Sequence, residues 1–394
     1  MSDARREIPL SIPVVSGNEQ EYVAECLDAA WLSTAGAFIT RFEDAICAFT
    51  GSKFAVACQS GTAAIHVMLR VAGVDRDDEV IVPALTFIAT VNPVAYLGAH
   101  PVFVDCDDFM NMDPDSVAAF LEDECERAAD GRIVNRATGR RVAAIVPVHV
   151  FGNPCAIEPL EALAREWGLP LVEDAAESLG ASWTDGAFAG RHTGTVGLAG
   201  CLSFNGNKII TTGGGGMVIT DDEQSARRVR HLTTQAKADP VRFVHDEVGY
   251  NYRMTNVQAA LGVAQLETLA ERIERKHRNH GLYAALLADL PGIEILGTPP
   301  GTAPNYWFYS ALVEPSVFGM DRERLMSGLA ERGIQTRPVW QLNNRQEPYL
   351  QERSCATPRA QWFWDRVLNL PCTHTLSVGD IEFVCGAIRE LGDR

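Results

Sequence analysis

The sequence predicts an α/β fold: a large, mostly parallel sheet with helices on both faces, followed by a smaller α+β region. Three observations carry this. Short β-rich runs alternate with helical patterns as far as about residue 235. Those runs are apolar along their whole length rather than at every second position, as expected of strands buried on both faces. A long helical stretch then ends at Pro291-Gly292, and shorter elements of both kinds follow it.

Taken in order, residues 1–15 read as an extended arm. Ser16 and Glu19 have the spacing of a capping box and predict a helix through EYVAECLDAAW. FAVAC (54–58) precedes TAAIHVMLRVAG, and EVIVPA (79–84) precedes FIATVNPVAYLGA. PVFVDCD (101–107) leads to Asp113-Pro114, a cap followed by proline at the first helical position. VAAIVPVHVFG (142–152) precedes IEPLEALAREWG, and LPLVEDAA (169–176) follows. CLSFNGNKIITTGGGGMVITDD reads as hairpin-like, with strand signals on either side of a polar, glycine-rich turn. One helical segment is predicted from about Thr255 to Leu290, only weakly interrupted by Gly262 and Gly281. The expected division is an arm (1–15), a large domain including the long linking helix (16–290) and a small C-terminal α+β domain (291–394).

Composition narrows the function. The chain has 394 residues, 46% hydrophobic and 22% charged, ample for a large core. Its net charge of −17 argues against a nucleic-acid partner, which selects for a basic face. A phosphate site must therefore rely on backbone amides, helix N-termini or a few placed cations. The ten cysteines show no C-x-x-C pair and no zinc spacing, so reduced thiols and no metal are expected. MSDARREIPLSIP has no apolar core of a signal peptide, and no run is long enough to span a membrane. A cytoplasmic protein with no membrane partner is expected.

Ligands of open α/β sheets sit at the carboxyl ends of the strands, and four loops there hold suggestive residues. Gln59-Ser60-Gly61-Thr62 lies between a strand and a helix, where amides and a hydroxyl can cradle a phosphate. An ordinary capped βα turn would look the same. Glu173-Asp174-Ala175-Ala176 ends a buried strand, where a carboxylate needs a cation such as a protonated pyridine nitrogen. A helix cap is the plainer alternative. Ser203-Phe204-Asn205-Gly206-Asn207-Lys208, followed by Gly213 to Gly216, offers a lysine pinned just past a buried strand. Such a lysine suits Schiff-base chemistry, although most loop lysines are merely solvated. Phe87, beside Thr86, can stack on a flat ring or belong to the core. G-x-G-x-x-G after a first strand, G-x-x-x-x-G-K-[ST], H-E-x-x-H and G-x-S-x-G are all missing.

The ordered set Ser60-Gly61-Thr62, Pro83-x-x-Thr86-Phe87-x-Ala89-Thr90-x-Asn92, Glu173-Asp174-Ala175-Ala176, Ser203-Phe204-x-x-x-Lys208 and Gly249-Tyr250-Asn251-Tyr252-Arg253-Met254 resembles the DegT/DnrJ/StrS sugar aminotransferases. The resemblance runs from about residue 10 to Leu376-Ser377-x-x-Asp380-Ile381. PVHVFG, EDAAESLG, SFNGNKIITTGGGGM, HLTTQAK, FVHDEVGYNYRM and TRPVW are similar to the bacillosamine- and legionaminic-type branch. The resemblance implies an aspartate-aminotransferase-like fold (fold type I) and pyridoxal 5'-phosphate as cofactor. It implies a nucleotide-linked 4-keto-6-deoxy-N-acetyl hexosamine as amino acceptor and L-glutamate as donor.

Carried over residue by residue, it implies that Lys208 holds the cofactor covalently, that Asp174 pairs with the pyridinium nitrogen, and that Phe87 stacks on the ring. Gly61, Thr62 and Ser203 would hold the phosphate. Asn251 would reach the phosphate of a neighbouring subunit's cofactor, making a homodimer with shared active sites. Glu177 stands where the wider family commonly has Gln or His, and Gly214 where it commonly has Glu. Tyr306, Arg337 and Trp340 are candidates for sugar or diphosphate contacts, with packing as their alternative. The family's dehydratases have histidine in place of the lysine, so Lys208 favours transamination over a dehydratase or lyase. A catalytically silent protein of the same fold is the other rival, and the Lys208–Asp174 pair counts against it.

Overall fold

The computed structural model describes residues 6–392. Residues 1–5 of the expected arm and residues 393–394 of the expected small domain lie outside the described residues. The main sheet is built from β1 (Phe54–Cys58), β2 (Glu79–Pro83), β3 (His100–Val104), β4 (Val142–Ile145), β5 (Val172–Asp174), β6 (Ala199–Ser203) and β7 (Gly216–Thr220). Two hydrogen-bonded groups, β1-β7-β6-β5 and β4-β2-β3, are joined by parallel bridges between Ile145 and Leu171 and between Val148 and Asp174. The neighbours β5–β6, β4–β2 and β2–β3 are parallel. β7 alone runs antiparallel to both neighbours, because β6 reaches it through a helix-free loop rather than a crossover. The hairpin expected from the sequence is therefore present, but inserted into a parallel sheet. Every residue of β2 and β7 is buried, which accounts for their largely apolar character, with Glu79 and Thr220 as the polar exceptions at the strand ends.

Helices α1 (Glu19–Asp28), α2 (Ala37–Thr50) and α3 (Gly61–Val71) precede or follow β1. α4 (Pro114–Glu124), α5 (Ile157–Trp167) and α6 (Glu223–Thr233) follow later strands, α4 and α6 with aspartate caps at Asp113 and Asp222. The predicted start of α1 needs correction. Its cap position is Asn18, and the Glu19 carboxylate folds back onto the Gly17 amide at 2.7 Å while also meeting the buried Gln265 amide. Ser16 therefore does not form the capping box.

The expected single helix from 255 to 290 is two, α7 (Asn256–Glu267) and α8 (Leu269–Leu287), broken at Thr268. Thr255 and Gln258 do form a capping box at the start of α7. Gly262 is no mere interruption: a Cβ there would lie 2.5 Å from the Phe42 ring, so glycine sets the approach of α2 to α7.

After α8 comes an antiparallel sheet in the order β8 (Ile293–Ile295), β9 (Tyr309–Val313), β11 (Val367–Leu370), β10 (Arg337–Pro338). It has its own apolar core, which includes Tyr309, Leu329, Leu370 and Ile388, closed by α9 (Val378–Gly392). The N-terminal segment pairs with loops beside this sheet and then with α7. Ile8 pairs in parallel with Ile334, the Cys372 amide donates to the Leu10 carbonyl at 2.7 Å, and Gln265 donates to the Val14 carbonyl at 2.9 Å.

Candidate active site

The carboxyl ends of β1, β2, β5 and β6 and the 337–341 segment enclose one cavity of about 670 Å³, a usual size for a small-molecule site. Among the predicted residues, Gly61, Thr62, Phe87, Asp174, Glu177, Ser203, Lys208, Arg337 and Trp340 all line it. Two do not. Tyr306 turns away: its ring stacks on His280 at 4.0 Å, and the neighbouring Trp307 lines the cavity instead. Tyr306 thus packs against His280 and is absent from the lining of this chain's cavity. Asn251 sits exposed beside Thr234, outside this chain's own cavity lining.

The wall next to β1 is made of backbone. Ser60 caps α3 by accepting the Ala63 amide at 3.1 Å. The first amides of the helix, at Gly61 and Thr62, have no partner within the helix and carry its positive end. Side chains are excluded here. A Cβ on Gly61 would lie 2.9 Å from the Ser203 Cβ, and one on Gly216 would lie 2.5 Å from the Gly61 nitrogen. The last glycine of the tetraglycine turn therefore lets β7 run against the helix start.

Asp174 forms the floor. Its carboxylate accepts the Thr90 hydroxyl at 2.7 Å and the Ala176 amide at 3.0 Å, and Thr86 backs Thr90 at 3.0 Å. The carboxyl group is nearly enclosed, with the residue 4% exposed, yet it has no cation of its own among these contacts. Burying an ionised carboxylate in that way calls for a cationic ligand group. Thr90 was not singled out as a site residue in the sequence. Its signal was the Thr86-x-x-x-Thr90 spacing, which brings the two hydroxyls together.

Lys208 lies beyond the end of β6. Its Nζ is 3.4 Å from Glu177 Oε1 and 3.8 Å from the centre of the Trp307 ring. Trp307 is fixed by its indole nitrogen, which donates to the Asn207 carbonyl at 2.7 Å. Glu177 Oε2 accepts the Phe151 amide at 2.8 Å. Phe151 adopts a left-handed backbone (φ 55°), a strained arrangement for an aromatic residue, and this aims its amide at Glu177. Burial pushes the Glu177 carboxyl up to about 7, against the opposing pull of the Lys208 ammonium and the Phe151 amide.

Glu173, beside Asp174, faces the opposite side. It accepts His149 at 3.0 Å and the amides of Gly194, Val196 and Gly197 at 2.7–2.9 Å. These donors hold its carboxyl below the usual range despite full burial.

Aromatic groups close the outer side. Phe87 is 49% exposed, and its ring centre lies 6.1 Å from that of Trp340, which in turn packs on Phe151 at 4.6 Å. Arg337 stands at the rim, donating to the Thr336 carbonyl at 3.0 Å.

A phosphorylated pyridine aldehyde fits this donor set. The glycine-lined helix start of Gly61 and Thr62, with Ser203, suits its phosphate. The cation-lacking Asp174 suits its ring nitrogen, Phe87 offers a free face, and Lys208 supplies the amine. Such a site, on this α/β framework, belongs to a pyridoxal-phosphate-dependent aminotransferase. The chain belongs to the DegT/DnrJ/EryC1/StrS aminotransferase family, whose profile it matches over residues 13–389. It is 36% identical to the GDP-perosamine synthase of Caulobacter vibrioides, covering 99% of this chain and 100% of that one. It is also 36% identical to EpsN of Bacillus subtilis, named a putative pyridoxal phosphate-dependent aminotransferase, over 85% of this chain and 82% of that one. Among solved structures, DesI in the presence of its TDP-sugar product matches with a TM-score of 0.87 at 31% identity, over 99% of this chain and 95% of that one.

Proposed function

We propose that the protein moves an amino group from L-glutamate to C4 of a nucleotide-linked 4-keto-6-deoxy hexosamine, in the service of polysaccharide synthesis. The observation that carries this is a single cavity lined by Lys208, Asp174 and the glycine cradle at Gly61, with Arg337 and aromatic groups at its rim. Relatives named for GDP-perosamine and a TDP-sugar product support a nucleotide sugar as acceptor. The bacillosamine-like motifs point to an N-acetyl hexosamine, so the GDP-linked sugar without that group is the competing acceptor.

When bound, the cofactor supplies an aldehyde that captures amines and an electron-poor ring that takes up the electrons of a broken C–H bond. Asp174 keeps a negative charge against the ring nitrogen, and Thr90 and the Ala176 amide hold that carboxylate in position. The Lys208 amine, once free, takes the proton from the α-carbon of the donor amino acid and later delivers one to the sugar's C4. Phe87 covers one face of the site and keeps water from it. Arg337 binds the carboxylate of glutamate in one half-reaction and the diphosphate in the other, a planar fork suited to both. Gly61, Thr62 and Ser203 hold the phosphate through amides and a hydroxyl.

The sequence-based assignment of Asn251 to a neighbour's cofactor leads us to read the active unit as a homodimer. Exposed apolar groups at Trp31, Leu32, Phe243 and Val248 support an association surface. Among the described residues, no helix is long and apolar enough to cross a membrane. A cytoplasmic location fits nucleotide-sugar chemistry, with an arm, a large domain and a small domain as the parts of the chain.

The test pairs a panel of UDP- and GDP-linked 4-keto sugars with glutamate and follows 2-oxoglutarate release, with the product read by NMR. Borohydride treatment of the cofactor-loaded protein followed by peptide mapping should label Lys208, and Lys208→Ala should lower turnover by at least about 10⁴-fold. A label on another lysine, or loss of water from the sugar without amine transfer, would sink the reading.

A further inference from the structure

Glu177 is a buried acid that the reaction outlined above does not use. It is 5% exposed and stands between two fixed groups. On one side is the Phe151 amide, on the 150–152 turn; on the other is the Lys208 Nζ, which the Trp307 face supports from behind. The charged groups bearing on it are Lys208 from the loop after β6 and Asp174 from the end of β5. The remaining neighbours, Phe151, Asn305 and Trp307, are uncharged; Asn305 donates to the Glu177 main-chain carbonyl at 2.8 Å. Among the described residues Lys208 is the one cation in contact with the carboxyl group, so the lysine is its only charged donor.

We propose that Glu177 and Lys208 share one proton, Glu177 taking it whenever Lys208 presents a neutral amine and returning it when the ammonium re-forms. In the transfer an N–H bond at Nζ breaks, with its electron pair staying on nitrogen, and an O–H bond forms at Oε1. The pair keeps zero net charge throughout, which spares a nearly closed site the cost of an isolated ion. A carboxyl group pushed up to about 7 is suited to this, since it gains and loses a proton near neutral pH. Glu177 thereby acts as a catalytic residue on a reacting atom rather than as one more hydrogen bond to the cofactor. The inference rests on the reading of Lys208 as the reactive amine.

The shared proton has a kinetic signature. Doubly protonated, the pair offers no free amine, so Lys208 reactivity rises with pH until Glu177 ionises. Above that point the Glu177 anion holds the lysine as ammonium, and reactivity flattens. The probe is trace labelling of the cofactor-free full-length protein with acetic anhydride, with Lys208 acetylation quantified by mass spectrometry from pH 5.5 to 9. Wild type should break near pH 7. Glu177→Gln keeps an oxygen for the Phe151 amide, removes the acid, and should climb without a break, labelling Lys208 about tenfold faster than wild type one pH unit above it. The rate at which added cofactor becomes attached, read from its visible band, should show the same break and the same loss of it.

Coincident profiles for wild type and variant would overturn the proposal. So would an unbroken wild-type profile, which decides the matter even if Glu177→Gln fails to fold. Borohydride mapping separates the two levels: a label on Lys208 with coincident profiles removes the shared proton and leaves the aminotransferase reading standing. A label elsewhere removes both.

Discussion

Glu173 and Glu177 lie one helical turn apart in sequence on either side of Asp174, and both are almost wholly enclosed. Yet the protein treats them in opposite ways. Glu173 is met by an imidazole and three backbone amides, and its carboxyl is held below the usual range. Glu177 is met by one amide and one distant ammonium, and its carboxyl is pushed up to about 7. Burial alone therefore does not decide whether an acid is ionised. The number of donors aimed at it does. The first environment anchors the strand end that presents Asp174. The second leaves a group free to change its charge beside Lys208.

The largest test breaks the first environment. Glu173→Ala should strand the buried His149 and three backbone amides, costing about 3–5 kcal/mol of folding free energy, measured by urea denaturation. A loss under about 1 kcal/mol would show that the donors re-pair and that the cage is not what anchors Asp174.

A smaller effect should come from acid. His192 accepts the Gly180 amide and adjoins Thr193 and Gly194 in the loop that closes on Glu173, and burial lowers its ring to about 4. The folded protein then binds fewer protons here than the unfolded chain. The stability this group allows is intact above about 6.5 and falls as the pH drops toward 4, by roughly 3 kcal/mol in total. The difference in denaturation midpoint between wild type and His192→Gln should therefore shrink from pH 7 to pH 4.5. A difference that stays constant would rule the histidine out as the acid-sensitive point.

The smallest effect should be at the second environment. Glu177→Gln preserves the acceptor for Phe151 and removes only a charge that burial already disfavours, so folding free energy should change by less than about 1 kcal/mol. A loss comparable to that of Glu173→Ala would erase the distinction between the two acids.

Much of the main sheet was legible because its strands are largely apolar and some of the helices that follow have readable starts, as at Asp113-Pro114. The floor and cradle were legible for a related reason. Asp174 ends β5, and Gly61 and Lys208 lie in the segments just after β1 and β6, where sheet topology leaves little freedom. What escaped the sequence was side-chain direction and long-range pairing. Tyr306 and Trp307 are adjacent, and only the φ of 50° at Tyr306 and its stacking on His280 decide which of them faces the cavity. Ser16 and Glu19 have capping spacing, but Glu19 is drawn to Gln265, 246 residues away. Thr268 breaks the long helix without any glycine or proline to announce it. The contact between Glu177 and Lys208 depends on a turn at Phe151 that no local pattern marks.

The segment around Leu10 has a consequence for how the protein comes into being. Leu10 lines the reactive cavity, while its carbonyl is bound by the amide of Cys372 and nearby Ile8 pairs with Ile334. During synthesis the early segment has nothing to lie against until those late residues have emerged, a loop closure spanning most of the polypeptide. Nascent chains should therefore assemble the sheet first and acquire a finished ligand chamber only once Ile334 and Cys372 have left the ribosome.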